Sequence, residues 1–240
     1  NAYKARLEAA ASRAIGRETT IGGDISFRLA PAISFTAKDL AIANAEGFEG
    51  DHLVRIAKAD LGVKLRPLLS GKVEITRFSL DAPDFNLRKS ADGRVNWNLA
   101  APAPSGDTGA SPINDVSLGV VAITDGRAIY EDGAAKQTYR VEGLNATARL
   151  NSLREPFELD GEMIFQGAPA QLSLVVNTLA GLAAKEGGNV KINAAIADAK
   201  LAADMTLASG DALAWSGPVK IEAPDLPGFA SLFGVALRES

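Results

Sequence analysis

His52 is the only histidine of the chain, so general-base, triad or imidazole-metal chemistry would have to pass through it. It stands between Asp51 and Leu53 beside a glycine-rich stretch, where a lone histidine reads as a solvated loop residue. A zinc site needs three or four converging ligands, and the sequence offers no cysteine and no second histidine. No Asp-x-Asp-x-Asp-Gly loop marks a calcium site, and no Gly-x-Ser-x-Gly elbow supplies a nucleophile. Asp81 and Asp84 flank Pro83 and could act as an acid–base carboxylate pair, but the same residues suit a turn at a strand junction. No glycine loop followed by Lys-Ser or Lys-Thr is present to cradle phosphate. Asn145-Ala146-Thr147 fits a glycosylation triplet that is common by chance. These residue types point away from an enzyme, and they imply no metal and no cofactor.

What the sequence does carry is an apolar period of two, cut by turns. It is plainest between Ala59 and Trp97: Leu61, Val63 and Leu65 alternate, Arg66-Pro67-Leu68-Leu69-Ser70-Gly71 makes a corner, and Val73 and Ile75 resume. This is the pattern of short antiparallel strands with one dry face. Upstream, Tyr3, Leu7, Ala10, Ala11, Ala14 and Ile15 recur at helical spacing, and Gly16 is a C-terminal stop. Ile25, Phe27 and Leu29 alternate next. Ile33, Phe35 and Ala37 follow, with Leu40 and Ile42 on the opposite parity. A parity flip within one run predicts a β-bulge, and a second flip lies between Ile75 and Phe78. Beyond residue 112 the alternation returns, with Thr124-Asp125-Gly126-Arg127 reading as a turn and Leu226 to Gly234 as a short closing helix.

The expected fold class is therefore mainly β: a long curled antiparallel sheet of roughly fourteen short strands behind a short N-terminal helix. Such a sheet would form an open trough or a flattened barrel or sandwich. Residues 1–99 form a first region, 100–112 (AAPAPSGDTGASP) a linker expected to be mobile and dispensable for folding, and 113–240 a continuing sheet region. A sandwich core and a lipid-lined trough give the same period, and Trp97 fits either a core anchor or the mouth of a groove.

Composition narrows the partners. The net charge of -4, with dispersed Lys and Arg, argues against nucleic acid. With no cysteine the redox compartment stays open. No apolar run approaches the ~20 residues of a membrane-spanning helix. The chain opens on Asn1, which suggests that it starts inside a longer protein.

Several segments, in order, resemble the AsmA family of bacterial envelope proteins. They are Ile15-Gly16-Arg17-Glu18-Thr19-Thr20-Ile21-Gly22-Gly23-Asp24-Ile25, then Leu40 to Gly47, then Val63 to Gly71, Leu80-Asp81-Ala82-Pro83 and Gly93-Arg94-Val95-Asn96-Trp97. Past the linker, Gly126 to Asp132 and Ala223-Pro224-Asp225-Leu226-Pro227-Gly228-Phe229 look like family segments as well. The resemblance implies a membrane helix upstream of Asn1, anchoring the chain in the inner membrane of a Gram-negative cell. It also implies a periplasmic β trough that carries phospholipid in outer-membrane assembly. The family carries no catalytic residues. On this reading, Ile25, Phe27, Leu29, Leu61, Val63, Leu65, Val73 and Ile75 face one dry trough holding phospholipid acyl chains. Envelope proteins are further possible partners. A non-enzymatic envelope scaffold or protein-interaction domain is the alternative, and an enzyme or binding module with an unseen site is a third.

Overall fold

The computed structural model describes residues 2–29, 33–64, 75–99, 119–210 and 214–234. The corner 66–71, the linker 100–112, and the candidate residues Leu65 and Val73 lie outside the described residues.

Helix α1 (Ala2–Ile15) ends where expected, at Gly16, whose φ of 73° places it in the left-handed region and whose N–H donates to the Ser12 carbonyl. The helix lies along the outer edge of β1 (Thr19–Ile21). Glu8 Oε1 accepts the Ile21 N–H and Ser12 Oγ accepts the Thr19 N–H, each at 2.8 Å. Side chains of α1 thus satisfy an edge that would otherwise be open.

The remaining strands are β2 (Ile25–Arg28), β3 (Ile33–Ala43), β4 (His52–Val63), β5 (Ile75–Lys89), β6 (Gly119–Asp132) and β7 (Gln137–Leu150). They continue with β8 (Phe157–Phe165), β9 (Ala168–Val176), β10 (Gly188–Ile196), β11 (Ala199–Leu207), β12 (Trp215–Ser216) and β13 (Val219–Glu222). Short helices α2 (Leu179–Ala183) and α3 (Leu226–Ser231) complete the fold. All thirteen strands form one unclosed sheet in chain order, with β1 and β2 both beside β3 at one edge and β12 and β13 both beside β11 at the other.

The mainly β expectation holds, with one difference in direction. β5 and β6 are parallel, from Arg77 opposite Val120 to Lys89 opposite Asp132. After β5 the chain turns through Ser90–Arg94 and bridges Val95 to Lys89, whereas β6 restarts at Gly119 against Thr76, at the other end of β5. Alternation reports which face a side chain takes and is blind to strand direction. The sheet nevertheless runs unbroken from one region into the other.

His52 opens β4 opposite Ala43, so it belongs to a strand and not to the loop before it. Two expected turns are also strand. Asp81-Ala82-Pro83-Asp84 lies inside β5 and Thr124-Asp125-Gly126-Arg127 inside β6. They mark a crease. Ala82 (φ 45°), Asp125 (φ 51°), Asp39 in β3 (φ 52°) and Gly143 in β7 (φ 56°) all take left-handed backbone. One such residue reverses the side on which the next side chain emerges. Leu40 and Ile42 therefore rejoin the face of Phe35 and Ala37, and Phe85 and Leu87 rejoin that of Phe78 and Leu80. The flip in β3 is thus no bulge: pairing passes from Lys38–Lys58 to Leu40–Ile56 with no residue inserted. The flip near Ile75 is a bulge, since Gly62 faces Arg77 while Val63 faces Ile75.

The tightest core gathers at the crease of β4 and β5, where Leu53, Val54, Ile56, Ala59 and Leu80 are buried among Leu40, Ile42, Phe78, Phe85, Leu87 and Ile123.

Candidate functional site

Strand register resolves the apolar alternation into rows that cross the sheet. Phe27 faces Phe35, Phe35 faces Leu61, and Leu61 faces Phe78. The same row continues through Val121, Ala148, Leu159, Leu174, Ile192 and Ala203 to Val219. A second row begins at Ile25 and runs through Ala37, Ala59, Leu80, Ile123, Ala146, Gly161, Leu172, Ala194 and Leu201 to Ile221. Neither row contains a polar side chain. Each spans eleven strands, roughly 50 Å at ~4.8 Å per strand.

The second row changes character along its length, whereas the first is half-buried already at Leu61 and Phe78. In β4 and β5, Ala59 and Leu80 are each 8% exposed, sealed in the core. From β6 to β11 every row residue is only half-buried. No second sheet covers them among the described residues, because the extensive contacts of each strand are with its sheet neighbours. An apolar stripe of this length with no covering layer among the described residues is an unusual surface.

Two borders flank that stripe. Along one, Leu150, Val176, Val190 and Leu207 are buried where α2 folds back and Leu182 meets Gly188. The other border is aromatic. Trp97 packs edge-on against Tyr130 at 5.8 Å, and Tyr130 and Tyr139 stack at 6.0 Å. Tyr139 and Phe165 stack at 6.0 Å, Phe165 meets Phe233 at 5.6 Å, and Phe233 meets Phe229 of α3 at 5.3 Å. The Phe233 carbonyl accepts from Gln137 Nε2 at 3.2 Å, fixing the segment after α3 over the end of β7. Trp97 is 37% exposed, a residue of the rim more than of a sealed core.

The stretch before that rim is locked by Asn96, which is fully buried. Its Oδ1 accepts the Arg88 N–H at 2.8 Å, and its Nδ2 donates to the Asn86 carbonyl at 2.7 Å and to Asn44 Oδ1 at 2.9 Å. One side chain thereby ties the end of β5 to the loop between β3 and β4.

The structure brings five of the eight candidate residues onto this one face. Ile25 and Phe27 begin the two rows, and the Phe27 and Phe35 rings lie 4.8 Å apart. Leu61 stands in the first row, while Val63 and Ile75 face each other beyond it. Val63 is 4% exposed and so belongs to packed core, whereas Leu29, 66% exposed, follows the end of β2. Reasoning from sequence missed the uncovered half from Val121 to Ala203. Its signal was present, as the alternation of β8 to β11 together with small Ala146, Ala148 and Gly161. Nothing short of register, however, shows that these strands share rows with Phe27 and Ile25.

The opposite face is polar. A recess of about 820 Å³ lies there between β6 and β13, its lining including Thr147, Asp160, Glu162, Asn193, Lys200 and Lys220. A twisted sheet is saddle-shaped, so both faces have a concave diagonal. Asp160 and Glu162 are exposed, and Lys220 is paired with Glu222 at 2.5 Å. No three His, Cys, Asp or Glu side chains among the described residues are placed to hold a metal ion.

Ion pairs within and between strands lace this polar face. Lys58 Nζ lies 2.6 Å from Asp60 and 3.1 Å from Asp81, and Lys191 lies 3.0 Å from Asp204. Burial works against the Asp60 carboxylate, but hydrogen bonds from Lys58 and Thr36 outweigh it and hold its pKa below the usual value. Hydrogen bonds from Asn189 and Lys191 lower Asp204, backbone N–H donors, Ala135 first, lower Asp132, and Ser90 and Arg94 bring Asp92 to about 2. A carboxylate whose folded pKa is depressed contributes stability above its unfolded value, and that stability fades as pH falls through the folded value. Melting temperature is therefore expected to be flat from about pH 5 to pH 8 and to fall between about pH 4 and pH 2. Thermal scans across that range check it, and a maximum below pH 4 would contradict it.

An open sheet with one sealed and one uncovered stretch of continuous apolar rows defines an elongated β-groove protein. The chain belongs to the AsmA family, whose model matches residues 1–237. This is a family of the bacterial envelope. No curated protein matches the chain. Among the described residues no helix is long and apolar enough to cross a membrane.

Proposed function

We propose that the chain is the periplasmic part of an inner-membrane-anchored protein that moves phospholipid between membranes during outer-membrane assembly. The observation that carries this reading is the uncovered apolar stripe from β6 to β11. Acyl chains lie along it, across the strands, between the aromatic border and the α2 border. The anchor is a segment upstream of Asn1, and envelope proteins at the far end receive or supply the lipid. No cofactor and no reacting group take part, because the work is transfer and not bond chemistry.

The energetics fit. Each CH₂ kept from water is worth about 0.8 kcal/mol, so an acyl tail of ~16 carbons would lose on the order of 12 kcal/mol in open solvent. Rows of Ala, Val, Leu and Ile remove most of that barrier and give a tail no polar contact at which to stop. Gly161 faces Ala146 there, setting two small residues side by side in the uncovered stretch.

The test is lipid mass spectrometry on gently extracted protein, comparing the parent with Leu159→Asp and Val63→Asp. Leu159 stands on the uncovered floor, where a carboxylate reaches water, so this variant is expected to fold with a stability loss of roughly 1 kcal/mol and to lose its lipid. Val63→Asp buries an unpaired carboxylate and is expected to unfold the chain. A parent without lipid, or a folded Leu159→Asp that keeps it, sinks the trough and leaves the scaffold reading.

A further inference from the structure

The two apolar rows do not fade out at the ends of the sheet. They stop at large exposed side chains: Phe27, 51% exposed, at one edge, and Val219 and Ile221, 51% and 68% exposed, at the other. The outer edge of β1 is covered by α1, whose Tyr3 and Lys4 reach residues 22–25 at the start of β2; beyond that β2, like β13, has no further strand on its outer side among the described residues. A bare edge is a template for another strand.

We propose that the β13 edge of one copy of this chain pairs with the β2 edge of a second copy, head to tail, continuing the sheet and both rows across the junction. Three features of the two edges agree. The first is direction. β2 and β13 run oppositely along the sheet, so placing one beside the other gives an antiparallel pair.

The second is register. Val219 ends the row that Phe27 begins, and Ile221 ends the row that Ile25 begins. An antiparallel pair with Val219 opposite Phe27 places Ile221 opposite Ile25 with no further adjustment.

The third is hydrogen-bond phase. The Lys38 N–H donates to the Asp24 carbonyl, so even-numbered residues of β2 bond to β3 while Ile25 and Phe27 turn their N–H and C=O groups outward. The Asp204 N–H donates to the Pro218 carbonyl, so Val219 and Ile221 likewise turn theirs outward from β11. Opposed outward residues exchange both bonds, giving four backbone hydrogen bonds at the junction. Had the phase of either strand been shifted by one, the rows and the hydrogen bonds could not both have matched.

On the polar face Lys220 meets Ser26, and Glu222 meets Asp24. The latter like-charged pair weakens the junction, so association should be concentration-dependent and adjustable at that point. The interface uses different surfaces on the two copies and so does not close on itself. The pairing is a property of the two edges: it does not rest on the proposed function and does not require lipid.

The test uses the lipid-free chain. Light scattering over a concentration series should show mass rising beyond that of one copy. Val219→Pro removes an N–H that serves only the outer edge, so it should abolish the rise with circular dichroism unchanged. Asp24→Lys should place a cation opposite Glu222 and move the midpoint to a concentration about fivefold lower. The parent has no cysteine, so Ser26→Cys combined with Lys220→Cys introduces the only thiols. The opposed Cα atoms would lie about 4.5 Å apart, within disulfide range, and mild oxidation should give a ladder of dimers, trimers and longer species. One-copy mass at every concentration with no ladder overturns the proposal, as does a covalent dimer from Ser26→Cys alone, which would mean β2 pairing with β2.

Discussion

Deleting residues 100–112 is expected to tear the sheet between β5 and β6. Asn96 is held opposite Arg88, and Gly119 lies against Thr76, twelve residues lower on β5. At ~3.3 Å per residue the chain must return roughly 40 Å. The deletion leaves nine residues between Asn96 and Gly119 (97–99 and 113–118), which reach about 36 Å when fully extended. A parallel pair in any case needs a crossover of a dozen or more residues. The two halves should then separate, with loss of the β5–β6 ladder and exposure of the Leu80–Ile123 contact. A thirteen-residue Gly/Ser replacement should restore the fold. Hydrogen exchange at Val120–Ile123 checks this: protection lost in the deletion and regained in the replacement is expected, and protection retained after the deletion would refute the length requirement. This expectation departs from the dispensability that composition alone suggests, because composition does not disclose that β6 runs parallel to β5.

The second large effect is expected at Asn96. Asn96→Ala removes three buried hydrogen bonds and leaves the Arg88 N–H and the Asn86 carbonyl without that partner. Each buried group left unpaired costs about 1–3 kcal/mol, so a loss of roughly 3 kcal/mol is the expected sum. For a chain of this size that is about 10 °C in melting temperature. Asn96→Asp should be worse at neutral pH, since it sets a buried carboxylate against two acceptor oxygens. Thermal denaturation of both variants measures it. A shift of a degree or two for Asn96→Ala would mean that the clasp between β5 and the β3–β4 loop is held by something else. Trp97 fluorescence should report the loosening, because its contact with Tyr130 depends on that clasp.

The sequence made the fold class legible because side-chain alternation is set locally, strand by strand. Helix α1 and its stop at Gly16 were legible for the same reason. Less legible was everything decided between strands. Residues of turn-forming type, Pro83, Asp84, Asp125 and Gly126, read as chain reversals, yet the structure uses them to bend strands that continue. Phe27 and Leu61 could be assigned to one face from their parity. Val63 shares that parity, but its burial depends on packing that no single strand displays. The uncovered floor at Leu159, Leu174 and Ile192 looks in sequence like any sandwich strand. Only the lack of a second layer over it among the described residues distinguishes it, and such a lack leaves no mark in local spacing.

The crease at Asp39, Ala82, Asp125 and Gly143 bears on how such a chain can change over generations. Side chains alternate with a period of two, so inserting or deleting one residue in a long strand turns everything beyond it to the wrong side. The crease already contains one such reversal in each of four strands. A single-residue gain or loss there needs a local bulge to keep the rows in step, as between β7 and β8, where Glu142 pairs with Ile164 and Asn145 with Glu162. Below and above that line, length is free to vary only in pairs of residues. Whole strands, by contrast, can be added two at a time at either edge without disturbing a single row. A protein built this way grows more readily by lengthening its sheet than by lengthening its strands.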